Sequence, residues 1–453
     1  MLWRERMYES VVRGARPLLH LVSPVNAKIA RGLEGRRGAV SHLASWASSA
    51  RDPSRPLIWF HAPSVGEGLM AQAIMGVVRE RRPDVQLAFT YFSPSAERLA
   101  GRVGADVIGY LPWDTREDVG RALDALRPDV IAFVRTEIWP VLGWEALARG
   151  ARVALVNAVL PPGSSRLRAG SRFLLGPSYA RLHAVGAVSD ADAGNFPLLG
   201  VVPDRVRVTG DARFDQVQAR VAALVEAGGA RPGSSAPAGP GGAARGVGLL
   251  DRLRDPGVTT LVAGSTWPAD DARLLPAFAQ ARRSEPYRLI TAPHEPDEAH
   301  LARLERSLDE AGLRHARLAA VEHGEAPLPE VVIVDRVGIL ADLYAVADVA
   351  YVGGGFHRAG LHSVVEPAAL GVPVLFGPRH RNAREAAELE WAGGGSRVRS
   401  ARELADALLR LARDPAGRRE GGEAARAYVR SRAGGAEKNA ALLLELLGAG
   451  RPE

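Results

Sequence analysis

A chain of 453 residues, 47% hydrophobic and 24% charged, has the composition of an ordinary folded protein and the length for two or three domains. The absence of cysteine excludes disulfides, thiolate zinc sites and cysteine nucleophiles together. A net charge of +7 favours anionic ligands or an anionic membrane face, but 56 of the 58 cationic residues are arginines spread along the chain without an RNA or DNA motif, so no nucleic-acid partner is expected.

Residues 1–37 form a segment of their own. They hold eight basic side chains against Glu5, Glu9 and Glu34, and Trp3, Met7, Tyr8, Val11 and Val12 recur at helical spacing. The longest uncharged run, Pro17 to Ala27, is too short to span a bilayer. No small-residue cleavage site comes after it, which argues against a signal peptide. A basic amphipathic helix of this kind suits the interface of an anionic membrane; it suits equally a helix packed on its own domain.

From Pro56 short apolar strands alternate with amphipathic helices. The strands are expected at Leu57–Phe60, Gln86–Thr90, Val107–Ile108, Asp129–Val134 and Arg152–Val156, with helices at Leu69–Arg81, Ser95–Val103 and Arg116–Leu126. Continuous apolar strands of this sort read as a parallel sheet covered on both faces. The pattern breaks at the Gly/Pro/Ser/Ala-rich stretch 227–242, a low-complexity tether. It resumes with strands at Thr259–Gly264, Tyr287–Ala292, Val331–Asp335, Asp348–Val352 and Val372–Gly377, and with helices at Ala269–Arg283 and Asp297–Ala311. The organisation read from this is an N-terminal segment 1–37, an α/β domain 38–226, a linker and insert 227–258, a second α/β domain 259–432 and a C-terminal helix 433–453. Two doubly wound domains of this kind bind ligands beyond the carboxyl ends of their strands, and in the cleft between them.

Three strand ends of the first domain carry charge. Ser64-Val-Gly-Glu-Gly68 comes after a strand and opens a helix, so Glu67 lies in a first turn, where a carboxylate is held as an anion and suits a general base. A plain helix-terminal charge would look the same. Glu137 in Arg135-Thr-Glu-Ile-Trp-Pro140 precedes a rigid Trp-Pro, and Arg213 in Gly210–Asp215 could offset charge on a leaving phosphate. In the second domain, Val352-Gly-Gly-Gly-Phe-His-Arg-Ala-Gly-Leu-His-Ser-Val-Val-Glu-Pro367 comes after a strand and leads to a helix expected from Leu361 to Leu370. Its glycines permit a tight turn and close approach of backbone to a ligand, its helix terminus favours an anion, and Glu366 could accept ribose hydroxyls. A phosphate ligand and a close-packed crossover both fit this turn. His357, Arg358 and His362 are candidate anion contacts, Trp139 and Trp267 read as packing residues, and His294 and His300 lack the spacing of metal ligands.

Two carboxylates and an arginine in one domain, with a phosphate-type turn in the other, suit transfer of a glycosyl group from a nucleotide sugar. Here the residues match a family. His61-Ala-Pro-Ser-Val-Gly-Glu67, Tyr110-Leu-Pro-Trp-Asp114, Thr136-Glu-Ile-Trp-Pro140, Val156-Asn-Ala158, Gly210–Asp215, Ala263-Gly-Ser-Thr-Trp-Pro268 and the Gly-rich segment ending Glu366-Pro367 keep family order from about residue 5 to residue 430. Together they resemble the 3-deoxy-D-manno-octulosonic acid (Kdo) transferases of lipopolysaccharide biosynthesis.

The resemblance implies an α/β GT-B fold, CMP-Kdo as donor, a lipid A precursor (lipid IVA) as acceptor, inversion, and peripheral or monotopic association with the cytoplasmic face of the inner membrane, with no metal or other cofactor. It implies Glu67 as catalytic base, Glu137 as an acidic residue assisting the transition state, and Arg213 at a position where the family usually has lysine. CMP contacts are implied at Pro293 and His294, at Val337, Gly338 and Ile339, at Gly354 and Gly355, and at His362, Ser363, Val364, Val365 and Glu366. The chain departs from the common pattern at Pro293-His-Glu-Pro296, where Pro-Arg-His-Pro is usual, and at Ser363, where asparagine is usual; its Gly353–His362 spacing resembles the variant of Bacteroidetes-type members. Another GT-B nucleotide-sugar transferase or epimerase, and a non-catalytic scaffold binding a lipid A precursor, remain as alternatives.

Overall fold

The structure, a computed structural model, describes residues 3–226, 245–324 and 327–448. The low-complexity stretch 227–242 lies outside them. From Arg245 to Leu253 the chain is helical, and Leu249, Leu250 and Leu253 are buried. The chain divides into two compact units: residues up to Gln216 together with those from Arg432, and Val217–Ser431 between them.

The first unit is built on strands β1 (Leu57–His61), β2 (Gln86–Tyr91), β3 (Val107–Tyr110), β4 (Val130–Val134), β5 (Arg152–Ala158), β6 (Ala184–Ala187) and β7 (Val206–Val208). They form one sheet in the order β3-β2-β1-β4-β5-β6-β7, each pair parallel. The second unit holds β8 (Thr259–Thr266), β9 (Tyr287–Pro293), β10 (His315–Arg317), β11 (Val331–Ile333), β12 (Val349–Val352), β13 (Val374–Phe376) and β14 (Gly395–Arg397). Their order is β10-β11-β9-β8-β12-β13-β14, again all parallel.

Side chains of a strand point alternately to its two faces, and both faces are covered. Ile58 and Phe60 of β1 enter one buried cluster, while Leu57 and Trp59 enter the other. In the second unit Leu261 and Ala263 of β8 go to one face and Val262 to the opposite one. Two apolar faces per strand explain the unbroken hydrophobic runs of the sequence.

The first sheet reverses its strand order at β1/β4, and the second does so at β8/β12, beyond an edge pair β10-β11 set outside β9. Crossovers depart in opposite directions at such a point and leave a crevice beyond the carboxyl ends. Two irregularities mark these ends. The register between β5 and β6 shifts between Leu155 and Ala158, and that between β8 and β9 shifts between Gly264 and Thr266. At them Asn157 and Ser265 take φ of +51° and +54°, and Arg135, just past β4, takes +79°. Non-glycine residues adopt this region rarely and at some cost in energy, and such strain concentrates at sites.

The helix Gly435–Gly448 packs back on the first sheet, its Ala436, Ala440, Leu442 and Leu443 joining the cluster of Ile58 and Phe60. Fully buried Asn439 accepts at Oδ1 from the Asn157 N–H (3.0 Å) and the Thr209 hydroxyl (3.1 Å), and donates to Gly435 O (2.7 Å). Gly186 makes room for it, since a Cβ there would collide with Asn439 Oδ1. Replacing Asn439 with alanine orphans the buried Asn157 N–H and should lower unfolding free energy by about 2–4 kcal/mol in urea titrations. A change under about 0.5 kcal/mol would remove Asn439 from the framework of this unit.

Candidate functional site

The carboxyl ends of β1 and β4 carry the predicted carboxylates. Glu67 occupies the first turn of the helix Val65–Arg81, and the Ser64 hydroxyl donates to its Oε2. Glu137 lies past β4 on an exposed loop, 3.8 Å from the Arg166 guanidinium. Partial burial holds its carboxyl above the ordinary range; Arg166 opposes this, and the Glu67 charge adds to it. The two carboxylates stand past the ends of adjacent strands of the sheet.

The loop bearing Glu137 is anchored on both sides. The Tyr179 hydroxyl donates to Thr136 O (2.6 Å), and the Thr136 hydroxyl donates to Val159 O (3.1 Å). Beyond it, Asp114 of the Tyr110–Asp114 motif accepts the Val141 and Leu142 N–H groups (3.1 and 2.8 Å) at the start of the helix Pro140–Ala148. Complete burial pushes the Asp114 carboxyl up to about 6, against the pull of those two N–H donors.

Arg213 is tied to the same strand end through Asp211. Asp211 accepts from Arg213 (Nη2, 3.2 Å), from Arg135 (Nη1, 3.4 Å) and from the Asn157 amide (3.2 Å). Burial alone would raise the Asp211 carboxyl, but Arg213, Arg135 and the Arg213 N–H outweigh it and hold it below the usual range. Asn157 in turn accepts the Ala212 N–H (2.7 Å). Sequence reading singled out Arg213 and missed its positioning partners Asp211, Arg135 and Asn157. The one signal available for them was their place at or immediately after strand ends. His61 is a framework residue: it is fully buried, bonds Thr90 Oγ1 at 3.1 Å, and burial drives its imidazole down to about 3, hence neutral.

In the second unit the glycine turn lies directly past β12, and its geometry corrects the expectation. The helix begins at Val365 and runs only to Ala369, not from Leu361 to Leu370. The backbone N–H groups that such a helix would aim at an anion already have partners: Leu361 N–H donates to Asn382 Oδ1 (3.0 Å) and His362 N–H to Gly353 O (3.1 Å). The glycines serve close packing of protein on protein. Gly354 has φ +91°, and a Cβ there would collide with Gly360 O.

The turn is shaped by a residue the sequence reading passed over. Asp270, fully buried in the first turn of the helix Pro268–Ser284, accepts the N–H groups of Gly354 (2.8 Å), Trp267 (3.0 Å) and Phe356 (3.3 Å) and the Tyr351 hydroxyl (2.9 Å). Trp267, read as a packing residue, stacks on His357 (ring centroids 4.0 Å) and His294 (4.8 Å), and its indole N–H donates to His362 Nε2 (3.0 Å). The structure therefore brings His294, His357 and His362 into one cluster at the ends of β8, β9 and β12.

The remaining predicted contacts fall at other points of the same strand edge. Pro293 ends β9, and Val337, Gly338 (φ +96°) and Ile339 lie on the loop after β11, with Val337 exposed. Gly355 packs on Gly377. Val364 and Val365 are fully buried, so they offer a ligand only backbone atoms, and Ser363 Oγ accepts the Val365 N–H (3.4 Å). Glu366 is half-buried on the short helix. Among the described residues no group of three His, Cys, Asp or Glu is arranged to hold a metal ion.

Replacing Asp270 with asparagine turns an amide NH2 toward backbone donors that require an acceptor. It should cost about 2–4 kcal/mol of unfolding free energy, read in urea titrations. Wild-type stability in Asp270→Asn would show that the clamp is dispensable.

Comparison with known proteins bears on both units. A family model described as 3-deoxy-D-manno-octulosonic-acid transferase (kdotransferase) matches residues 32–216. A 3-deoxy-D-manno-octulosonic acid transferase of Bordetella pertussis is 30% identical over 452 residues, covering 98% of this chain and 99% of that protein. One of Chlamydia muridarum is 26% identical over 74% of this chain and 73% of its own length. Among solved structures, the UDP-GlcNAc 2-epimerase of Neisseria meningitidis bound to UDP-GlcNAc aligns with a TM-score of 0.58 at 12% identity, covering 87% of this chain and all of that one. That likeness is one of fold, and it agrees with the α/β GT-B class read from the sequence.

Proposed function

The chain belongs to the 3-deoxy-D-manno-octulosonic acid transferase family, and on that premise we propose that it moves Kdo from CMP-Kdo to a lipid A precursor, lipid IVA, with inversion at the anomeric carbon. The observation that carries the reading is that Glu67 and Glu137 stand past the carboxyl ends of β1 and β4, the adjacent strands at the switch point of the first sheet.

Glu67 takes the proton of the acceptor hydroxyl. That oxygen bonds to the anomeric carbon of Kdo from the face opposite the phosphate, the bond to the phosphate oxygen breaks, and CMP leaves with the electron pair. A single displacement of this kind inverts the centre. Glu67 stands in the first turn of its helix, where its carboxylate can accept that proton. The raised affinity of Glu137 for a proton suits a group that shares or donates a hydrogen bond as charge shifts. Arg213, aligned by Asp211, supplies positive charge for the leaving phosphate, and its planar fork replaces the point charge of a lysine. In the second unit, Pro293 and His294, Val337 to Ile339, and His362 to Glu366 are the proposed contacts to CMP.

The reaction requires a lipid-borne acceptor, and the helix Trp3–Val22 suits a membrane surface. Its acids face inward: Glu5 pairs with Arg181 (2.6 Å), and Glu9 accepts from Arg13 (2.8 Å) and the Arg116 N–H (3.1 Å). One set of its apolar residues faces out, with Val11 63%, Leu18 62% and Leu21 76% exposed, while Tyr8, Val12 and Leu19 are half-buried; Val25 just beyond it is 87% exposed. A surface helix does not usually expose so many large apolar side chains. No helix among the described residues is long and apolar enough to cross a membrane. We place the protein on an anionic surface, at the cytoplasmic face of the inner membrane, with these side chains inserted and the neighbouring arginines on headgroups.

Incubated with CMP-Kdo and lipid IVA, the wild-type protein should add Kdo to the lipid, seen by mass spectrometry. Glu67→Gln should lose at least about a hundredfold in rate. No mass gain by wild type would end the transferase reading, and full activity of Glu67→Gln would end the assignment of the base. In sedimentation with vesicles containing anionic lipid, Leu18→Asp with Leu21→Asp should weaken binding by about tenfold or more. Unchanged sedimentation would rule out this helix as the membrane face.

A further inference from the structure

Trp267 sits at the end of β8, fixed by its own N–H on Asp270 (3.0 Å) and by Pro268 after it. Its indole and the imidazole of His362 are nearly coplanar (11°) and joined edge to edge by the indole N–H on His362 Nε2 at 3.0 Å. His357 stacks on the indole at 4.0 Å and 7°, and His294 overlaps both the indole (4.8 Å) and His362 (4.4 Å).

An indole N–H can only donate. Nε2 of His362 must therefore accept, and a neutral imidazole that accepts at Nε2 carries its proton at Nδ1. The contact also opposes a proton on Nε2. Burial, and after it His294, lowers the His362 imidazole to about 4; Asp270 works against this, and His357 with it. Among the described residues, those three side chains are the titratable groups that act on this ring. His362 is thus left with a single N–H donor, without charge, on a ring whose rotation is fixed by the indole and by His294.

We propose that Trp267 is a positioning residue for the sugar nucleotide: it locks His362 in the Nδ1–H tautomer, so that the imidazole meets an acceptor oxygen of the nucleotide as a neutral, directed donor. The proposal rests on the transferase reading, which supplies the nucleotide, but the lock itself belongs to the free protein and can be read there.

Trp267→Phe keeps an aromatic face for the stacked imidazoles and removes the donor. In two-bond proton–nitrogen correlation spectra of the ligand-free protein labelled at histidine nitrogen, wild-type His362 should appear as the Nδ1–H tautomer, and Trp267→Phe should shift it toward Nε2–H. With that shift, KM for CMP-Kdo should rise by about tenfold and kcat should change less than about twofold, the effect of one misdirected hydrogen bond in binding. His362→Asn places an amide N–H near the Nδ1 position, and adding Trp267→Phe to it should raise KM no further. An Nε2–H tautomer in wild type, a tautomer unmoved by Trp267→Phe, or the full rise in KM persisting in the His362→Asn background would each overturn the proposal. If wild type transfers no Kdo, it is the transferase reading that fails. Calorimetric titration with CMP alone then replaces KM, and equal affinity of wild type and Trp267→Phe would overturn the lock as a device for binding.

Discussion

The second unit depends on one buried carboxylate. Asp270 gathers four donors from three parts of the chain: the end of β8 through Trp267, strand β12 through Tyr351, and the glycine turn through Gly354 and Phe356. A charged acceptor makes stronger hydrogen bonds than a neutral one, and removed from water it requires nearly all of its lone pairs satisfied. The amino-terminal end of its own helix adds a favourable field. The turn therefore has one geometry, and so do the three imidazoles that flank Trp267. Flexible glycines become a rigid element because their amides answer to a carboxylate more than 80 residues away in sequence.

The two sheets use the same device at corresponding places. Each has a register shift at a carboxyl end, and each shift puts a polar non-glycine residue, Asn157 or Ser265, into the left-handed region. A bulge turns a strand end away from regular pairing and re-aims the residues beyond it. In the first unit the shift positions the network of Asn157, Asp211, Arg135 and Arg213. In the second it positions Trp267 and its histidines. One architecture thus carries acid–base groups at one strand edge and stacked rings at the other. Both are fixed by backbone irregularities that cost energy and are held by buried polar contacts.

The sheet strands were legible where they were long and rich in apolar residues. Leu57–Phe60 and Val130–Val134 stand out as unbroken apolar runs, because both faces of each strand are buried. Edge strands such as Val206–Val208, His315–Arg317 and Gly395–Arg397 are three residues long and partly exposed, so they leave no periodicity to read. Glu67 was legible because its place, in a first helical turn after a strand, is a local fact. Asp270 and Asn439 were not, since their meaning lies in partners far along the chain. The helix expected at Leu361 was misjudged for a related reason: the amides of Leu361 and His362 found acceptors in Asn382 and Gly353, which compete with a helix and which no local propensity reveals.

The return of the helix Gly435–Gly448 to the first sheet has a consequence in time. Asn157 donates to Asn439 across 282 residues, and the second unit lies wholly between them in the chain. During synthesis the first unit emerges early but with an open face and an unanswered amide beneath it. It must wait for an entire second domain to be made before its core can close. Until then an apolar sheet face stays open to wrong partners, so the core of the domain made first closes only after the domain made second has been synthesised.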